Sequence, residues 1–129
     1  WQAYAQGRYA HPADGRASNA AFKGFGRCGT GTDPDNRFWF DTVKPASVDG
    51  AQAPHVNVIV FMRGMLVHAF TRIYFADDTA ANARDPVLQS VPAERRKTLL
   101  AERIAAPTGT TYRFDIRMQG ADETVFFDA

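Results

Sequence analysis

The chain has 129 residues, of which 45% are hydrophobic and 22% charged, so it has the composition of one globular domain and not of a disordered or fibrous polymer. Fifteen Lys and Arg against fourteen Asp and Glu leave a net charge of +1, which excludes a broad electrostatic grip on nucleic acid or anionic lipid. The single cysteine, Cys28, excludes an internal disulfide framework and a cysteine-based metal cage. No secretory signal is visible, which points to the cytoplasm, and the longest mostly apolar run, His55 to Phe61, is far too short to cross a bilayer.

Trp1-Gln2-Ala3 reads as though the chain begins inside a structural element, so residues 1–129 are expected to be a single domain missing its N-terminal part. Residues 4–36 read as a long loop, rich in Gly, Ala, Asp, Asn and Pro and without sustained periodicity. Arg37 to Val43 alternates, with Phe38 and Phe40 facing one way and Trp39 the other, which predicts a strand. A loop follows and closes at Pro54.

His55 to Phe61 is β-branched and strand-like. Val56, Val58 and Val60 fall on one face, and His55, Asn57, Ile59 and Phe61 on the other. A short link containing Arg63-Gly64 turns the chain into a second strand, Leu66 to Phe75, which makes a hairpin. Residues 76–90 read as a polar connection. Pro92 to Ile104 predicts the one helix, with Pro92 at its start, Glu94 in the first turn, Arg103 in the last and Leu99, Leu100 and Ile104 as an apolar stripe. Thr110 to Gln119 returns to strand, with Tyr112, Phe114, Ile116 and Met118 inward, and Glu123 to Phe127 forms a last short one. This order predicts a mainly β fold, an antiparallel β-sandwich with one short helix and long loops.

Three local signals carry no function. Gly24, Gly26 and Gly29 match the spacing of a dinucleotide-binding turn, but Thr30-Gly31-Thr32-Asp33-Pro34 cannot start the helix that such a turn requires. The glycines read instead as sites of tight turning and close backbone approach. Cys28 has no base near it in sequence and reads as a structural thiol. Arg95-Arg96-Lys97 reads as a solvated helix face.

The informative stretches are WQAYAQGRY, FKGFGRCGTG, FWFDTVKP, APHVNVIVFMRG, TRIYF, YRFDIRMQG and ETVFFD. Together, over essentially the whole chain, they resemble the intradiol ring-cleaving dioxygenases, and most of all the alpha-type chains of two-subunit members of that family. The resemblance implies a transthyretin-like β-sandwich and an obligate beta-type partner subunit. It also implies cleavage of an aromatic diol carboxylate by O2, turning 3,4-dihydroxybenzoate into 3-carboxy-cis,cis-muconate. The cofactor it implies is a non-haem Fe(III) held by two tyrosines and two histidines. Hard ferric iron favours phenolate oxygen, with imidazole completing the shell.

Set against that pattern, Tyr9 in Gly7-Arg8-Tyr9 matches the first tyrosine position and His55 the first histidine. Asn57 stands at the second histidine position. No tyrosine occurs from residue 10 to residue 73, so the second phenolate is missing. Gln52 stands where the catalytic chains carry an arginine, three residues before the first histidine. Tyr9, His55, Asn57 and Gln52 are therefore vestigial metal-site positions, with no catalytic residue and no metal expected in this chain alone. The iron is expected in the beta-type subunit. The residues taken by themselves read the same way: His55 and Asn57 as hydrogen-bonded polar groups on one strand face, and Tyr9 as a half-buried aromatic with its hydroxyl paired.

Arg63, in the F-x-R-G motif of alpha-type chains, is expected at the subunit boundary, where a guanidinium would hold the substrate carboxylate near the partner's active site. Two alternatives stand beside this reading. One is a self-sufficient dioxygenase with a replacement ligand, for which Asp49 is the nearby anionic candidate. The other is a transthyretin-like binding module with no enzyme partner. His11, His68 and Arg72 read as interface or pocket candidates without an assigned role, although His68, inside a predicted strand, reads more readily as a core histidine.

Overall fold

A computed structural model describes residues 1–11, 13 and 21–128. Strands β1 (His55–Val60) and β2 (Ala69–Phe75) pair antiparallel, with His55 opposite Tyr74, Asn57 opposite Arg72 and Ile59 opposite Phe70. Short helices α1 (Thr79–Arg84) and α2 (Pro86–Ser90) follow, then a 3-10 segment, Ala93–Leu99. Strands β3 (Leu100–Ala106) and β4 (Gly109–Arg113) form a second antiparallel hairpin. The strand order is β1-β2-β3-β4. The fold is mainly β.

One strand join departs from the antiparallel expectation. β2 and β3 run parallel through Tyr74 opposite Leu100 and Phe75 opposite Ala101. Parallel neighbours need a crossover, and residues 76–99 supply it. That connection is therefore helical, where the sequence reading has a plain polar link. The signals are local: Asp85 caps α2 by accepting from the Leu88 N–H at 2.8 Å, and Pro86 occupies the first turn, where its missing N–H costs nothing.

The helix expected over Pro92 to Ile104 does not form. Its first part is 3-10, and from Leu100 the chain is β3. Leu99 is fully buried while Ile104 is 43% exposed, so the two do not share a stripe. Pairing with β4 overrides the helical signal. The strand expected over Arg37 to Val43 also has no ladder partner among the described residues. The Phe38 and Phe40 rings lie 6.4 Å apart, but Trp39 and Phe40 are both exposed, so burial does not alternate there. By contrast, Tyr112, Phe114, Ile116 and Met118 are all half-buried and their neighbours exposed, although the ladder stops at Arg113. The last predicted strand contributes a single bridge, Phe127 to Phe70.

The core gathers Ala53, Tyr74, Leu88, Val91 and Leu99, with Leu100, Val125 and Phe127 packed against it. It lies between the Tyr74 face of the sheet and the crossover. The first residues cover the outer edge of β1: Gln2 bridges to Val56, and Asn57 N–H donates to Trp1 O at 2.8 Å. Pairing of this kind removes an open sheet edge.

Candidate functional site

In an antiparallel pair, directly opposed residues share a face. The register therefore puts His55, Asn57 and Ile59 of β1 beside Tyr74, Arg72 and Phe70 of β2. His55 packs on the Tyr74 ring with centroids 5.7 Å apart. Its Nδ1 lies 2.8 Å from Ala53 O. A carbonyl only accepts, so Nδ1 carries the proton and Nε2 is the acceptor. Burial holds the imidazole below its ordinary pKa, and the charge of Arg72 pushes the same way. His55 is thus a neutral, buried histidine.

Arg72 donates through one terminal nitrogen to Gln52 Oε1 at 2.9 Å and to the Tyr74 hydroxyl at 3.3 Å. Tyr74 in turn donates to Asp85 Oδ1 at 3.3 Å. Burial pushes the Tyr74 phenol up to about 12, so it stays a proton donor. Asp85 is fully buried, and its second oxygen accepts from Ala53 N–H at 2.7 Å. The result is a continuous chain from Gln52 through Arg72 and Tyr74 to Asp85. It ties the loop before β1, strand β2 and the cap of α2 together.

Tyr9 arrives from outside the sheet. Gly7 makes its approach possible. At φ +71° and with Ser47 O placed 2.1 Å from where a Cβ would stand, only glycine fits there. Tyr4 N–H donates to Arg8 O at 2.7 Å and closes the turn. Asn57 Nδ2 then donates to the Tyr9 hydroxyl at 3.3 Å. Three of the four positions singled out in the sequence (Tyr9, Asn57 and His55) thus meet on the β1 face, and the fourth, Gln52, reaches the same cluster through Arg72. Gly24 makes a comparable close approach, donating no side chain while its carbonyl accepts from Gln2 N–H at 2.9 Å.

Arg63 lies elsewhere. It sits in the exposed turn between β1 and β2, closed by Met65 N–H to Met62 O at 3.1 Å with Gly64 at φ +88°. That turn is at the far end of β1 from His55, roughly 16 Å away along the strand. Phe61, Met62, Leu66 and Val67 around it are exposed. His68 is exposed rather than in the core, with its ring between Phe61 at 5.2 Å and Phe70 at 4.8 Å. His11 is exposed and accepts from Ala13 N–H at 3.1 Å. Cys28 is a free, exposed thiol.

The donors assembled here do not fit a ferric ion. Asn57 offers a neutral amide, already bonded to Tyr9. The cross-strand neighbour of Asn57 is a cation, Arg72. Asp85 spends its oxygens on Ala53, Leu88 and Tyr74. Asp49, the candidate replacement ligand, folds onto its own turn, accepting from Ala51 N–H at 3.0 Å and Gln52 N–H at 2.8 Å. Among the described residues no group of three or more His, Cys, Asp or Glu is arranged to hold a metal ion. The sequence reading named Arg72 without a role and missed Tyr74 and Asp85. The alternation of Arg72 and Tyr74 in a strand hinted at a shared face, but nothing local tied them to Gln52 or Asp85.

Comparison with known proteins adds names to this geometry. No family model matches the chain. It is 61% identical over 112 residues to the protocatechuate 3,4-dioxygenase alpha chain of Burkholderia cepacia, covering 86% of this chain and 57% of that one. It is 45% identical over 133 residues to the alpha chain of Pseudomonas putida, covering 99% and 64%. The beta chain of Burkholderia cepacia is 32% identical over 136 residues, covering 96% and 57%. The chain is thus similar to protocatechuate 3,4-dioxygenase chains, with higher identity to these two alpha chains than to this beta chain, and it spans about three fifths of the length of the relatives it matches.

Proposed function

We propose that the chain acts as alpha-type subunit of an intradiol dioxygenase, within a domain of that family's transthyretin-like sandwich type. In this reading a beta-type subunit holds the Fe(III) and opens the ring of 3,4-dihydroxybenzoate with O2 to 3-carboxy-cis,cis-muconate. The observation that carries it is the broken donor set at Tyr9, His55 and Asn57, in a chain similar to proteins named as alpha chains. The residues gathered at this place are tied by hydrogen bonds and do not supply metal chemistry. What they retain is a stabilising role: they fasten β1, β2, the Gln52 loop and α2 into one body.

Arg63 is the residue through which the chain would act on substrate. It stands on an exposed turn flanked by Phe61, Met62, Leu66 and Val67, the composition of a surface that a partner subunit covers. A guanidinium held there by the partner's contact would pair with the substrate carboxylate. The compartment that fits is the cytoplasm, where an exposed thiol such as Cys28 stays reduced. No helix among the described residues is long and apolar enough to cross a membrane.

The test is iron content and ring cleavage, measured on the chain purified alone and again with a beta-type partner. The expected result is no iron alone, and iron with activity only in the complex. Stoichiometric iron in the isolated chain overturns the reading in favour of a self-sufficient enzyme.

A further inference from the structure

The structure assigns to Arg72 the place of a resident cation in the former metal site, a built-in positive charge that keeps metal ions out. The inference rests on reading Tyr9, His55 and Asn57 as the remains of a metal site. Four observations support it. Arg72 is the direct cross-strand partner of Asn57, the position where a second histidine would stand. Both line one hollow of about 290 Å³, together with Trp1, Phe70, Phe127 and Asp128, a hollow that His55 and Tyr9 border only through Asn57 and not as lining residues. Arg72 is hydrogen-bonded to Gln52, the residue that stands where catalytic chains carry an arginine. The positive charge that the resemblance places on the loop before β1 is supplied here from β2, on the strand opposite the two ligand positions. Finally, the guanidinium is anchored and not free to swing away, since Gln52 and Tyr74 both accept from it and Tyr74 is fixed by buried Asp85.

The consequence is that the loss of ligands is not the whole reason for the loss of metal. A cation fixed beside the site repels a second one, acting on His55 against the Asp85 and Asp49 carboxylates, and burial strengthens that repulsion. Restoring the missing histidine alone should therefore fail to restore a metal site. Only removal of the guanidinium as well should open it.

The experiment compares Asn57→His with the double variant Asn57→His/Arg72→Gln in the full chain, titrated with Co²⁺ and followed by its visible absorption. The double variant is expected to bind Co²⁺ at least about tenfold more tightly than the single one. Adding Arg72→Lys to Asn57→His keeps a positive charge and is expected to match the single variant. Loss of Arg72 leaves Asp85 without a neighbouring cation. If the double variant does not fold, Arg72→Met replaces Arg72→Gln in it, and the same tenfold difference is expected. Equal affinity in single and double variants, or no binding in either, overturns the role of Arg72. Neither result touches the proposed function, which fails only if the unaltered chain holds iron.

Discussion

Replacing Asp85 by alanine tests the network at its most buried point. The carboxylate is fully enclosed and accepts from Ala53 N–H at 2.7 Å, Leu88 N–H at 2.8 Å and the Tyr74 hydroxyl at 3.3 Å. Asp85→Ala leaves two backbone N–H groups without partners in a space alanine does not fill. Each unsatisfied buried donor costs about 1–3 kcal/mol, and the Leu88 contact is also the helix cap, itself worth about 1 kcal/mol. Because the cap and the Leu88 N–H are the same bond, they count once. The expected loss is about 3–5 kcal/mol, a large part of the about 5–15 kcal/mol that holds a domain together. Asp85→Asn keeps one oxygen acceptor and should lose roughly half as much. Urea unfolding of the purified protein, followed by far-UV circular dichroism, reads both values from the midpoint shift. A loss below about 1 kcal/mol for Asp85→Ala would show that these hydrogen bonds do not hold the β1 loop and α2 together.

Further outcomes follow from other positions. Gly7→Ala forces a Cβ into Ser47 O at a backbone φ of +71°, so it should destabilise by more than about 1 kcal/mol in the same assay, and a neutral result refutes the close approach. Arg63→Ala in the complex with a beta-type partner should raise KM for 3,4-dihydroxybenzoate about tenfold while kcat changes less than about twofold. An unchanged KM removes Arg63 from substrate binding. His55 is held below its ordinary pKa by burial, so the folded state favours the neutral ring. Its contribution to stability is complete above the unfolded value of about 6.5 and is lost as pH falls through the lower folded value. His55→Gln should flatten that part of the stability curve, and identical slopes in the two proteins would refute the assignment.

Much of the site was legible in the order of residues. The i, i+2 spacing of His55 and Asn57 puts them on one strand face whatever the rest of the chain does, because side chains alternate along any strand. That Asn57 and Gln52 are substitutions, and that a second tyrosine is missing, was legible only through the resemblance to the dioxygenase pattern. The β1–β2 hairpin was legible too, since β-branched runs on either side of Arg63-Gly64 leave few other pairings. The crossover was not. Pro92, Glu94 and Arg103 fit a helix locally, and only pairing with β4 makes Leu100 to Ala106 a strand.

What the amino-acid sequence determined by itself was therefore local and chemical: which residues can ligate, which faces alternate and where the chain must turn. Periodicity and side-chain chemistry are properties of neighbouring residues, so they need no fold to be seen. What only the tertiary structure decided was which distant residues meet. Gln52, Arg72 and Asp85 are far apart in sequence, yet register and crossover bring them to one hydrogen-bonded chain around Tyr74. The charge that a site carries depends on that meeting. A cation entering from a neighbouring strand leaves no mark in the spacing of the ligands it opposes.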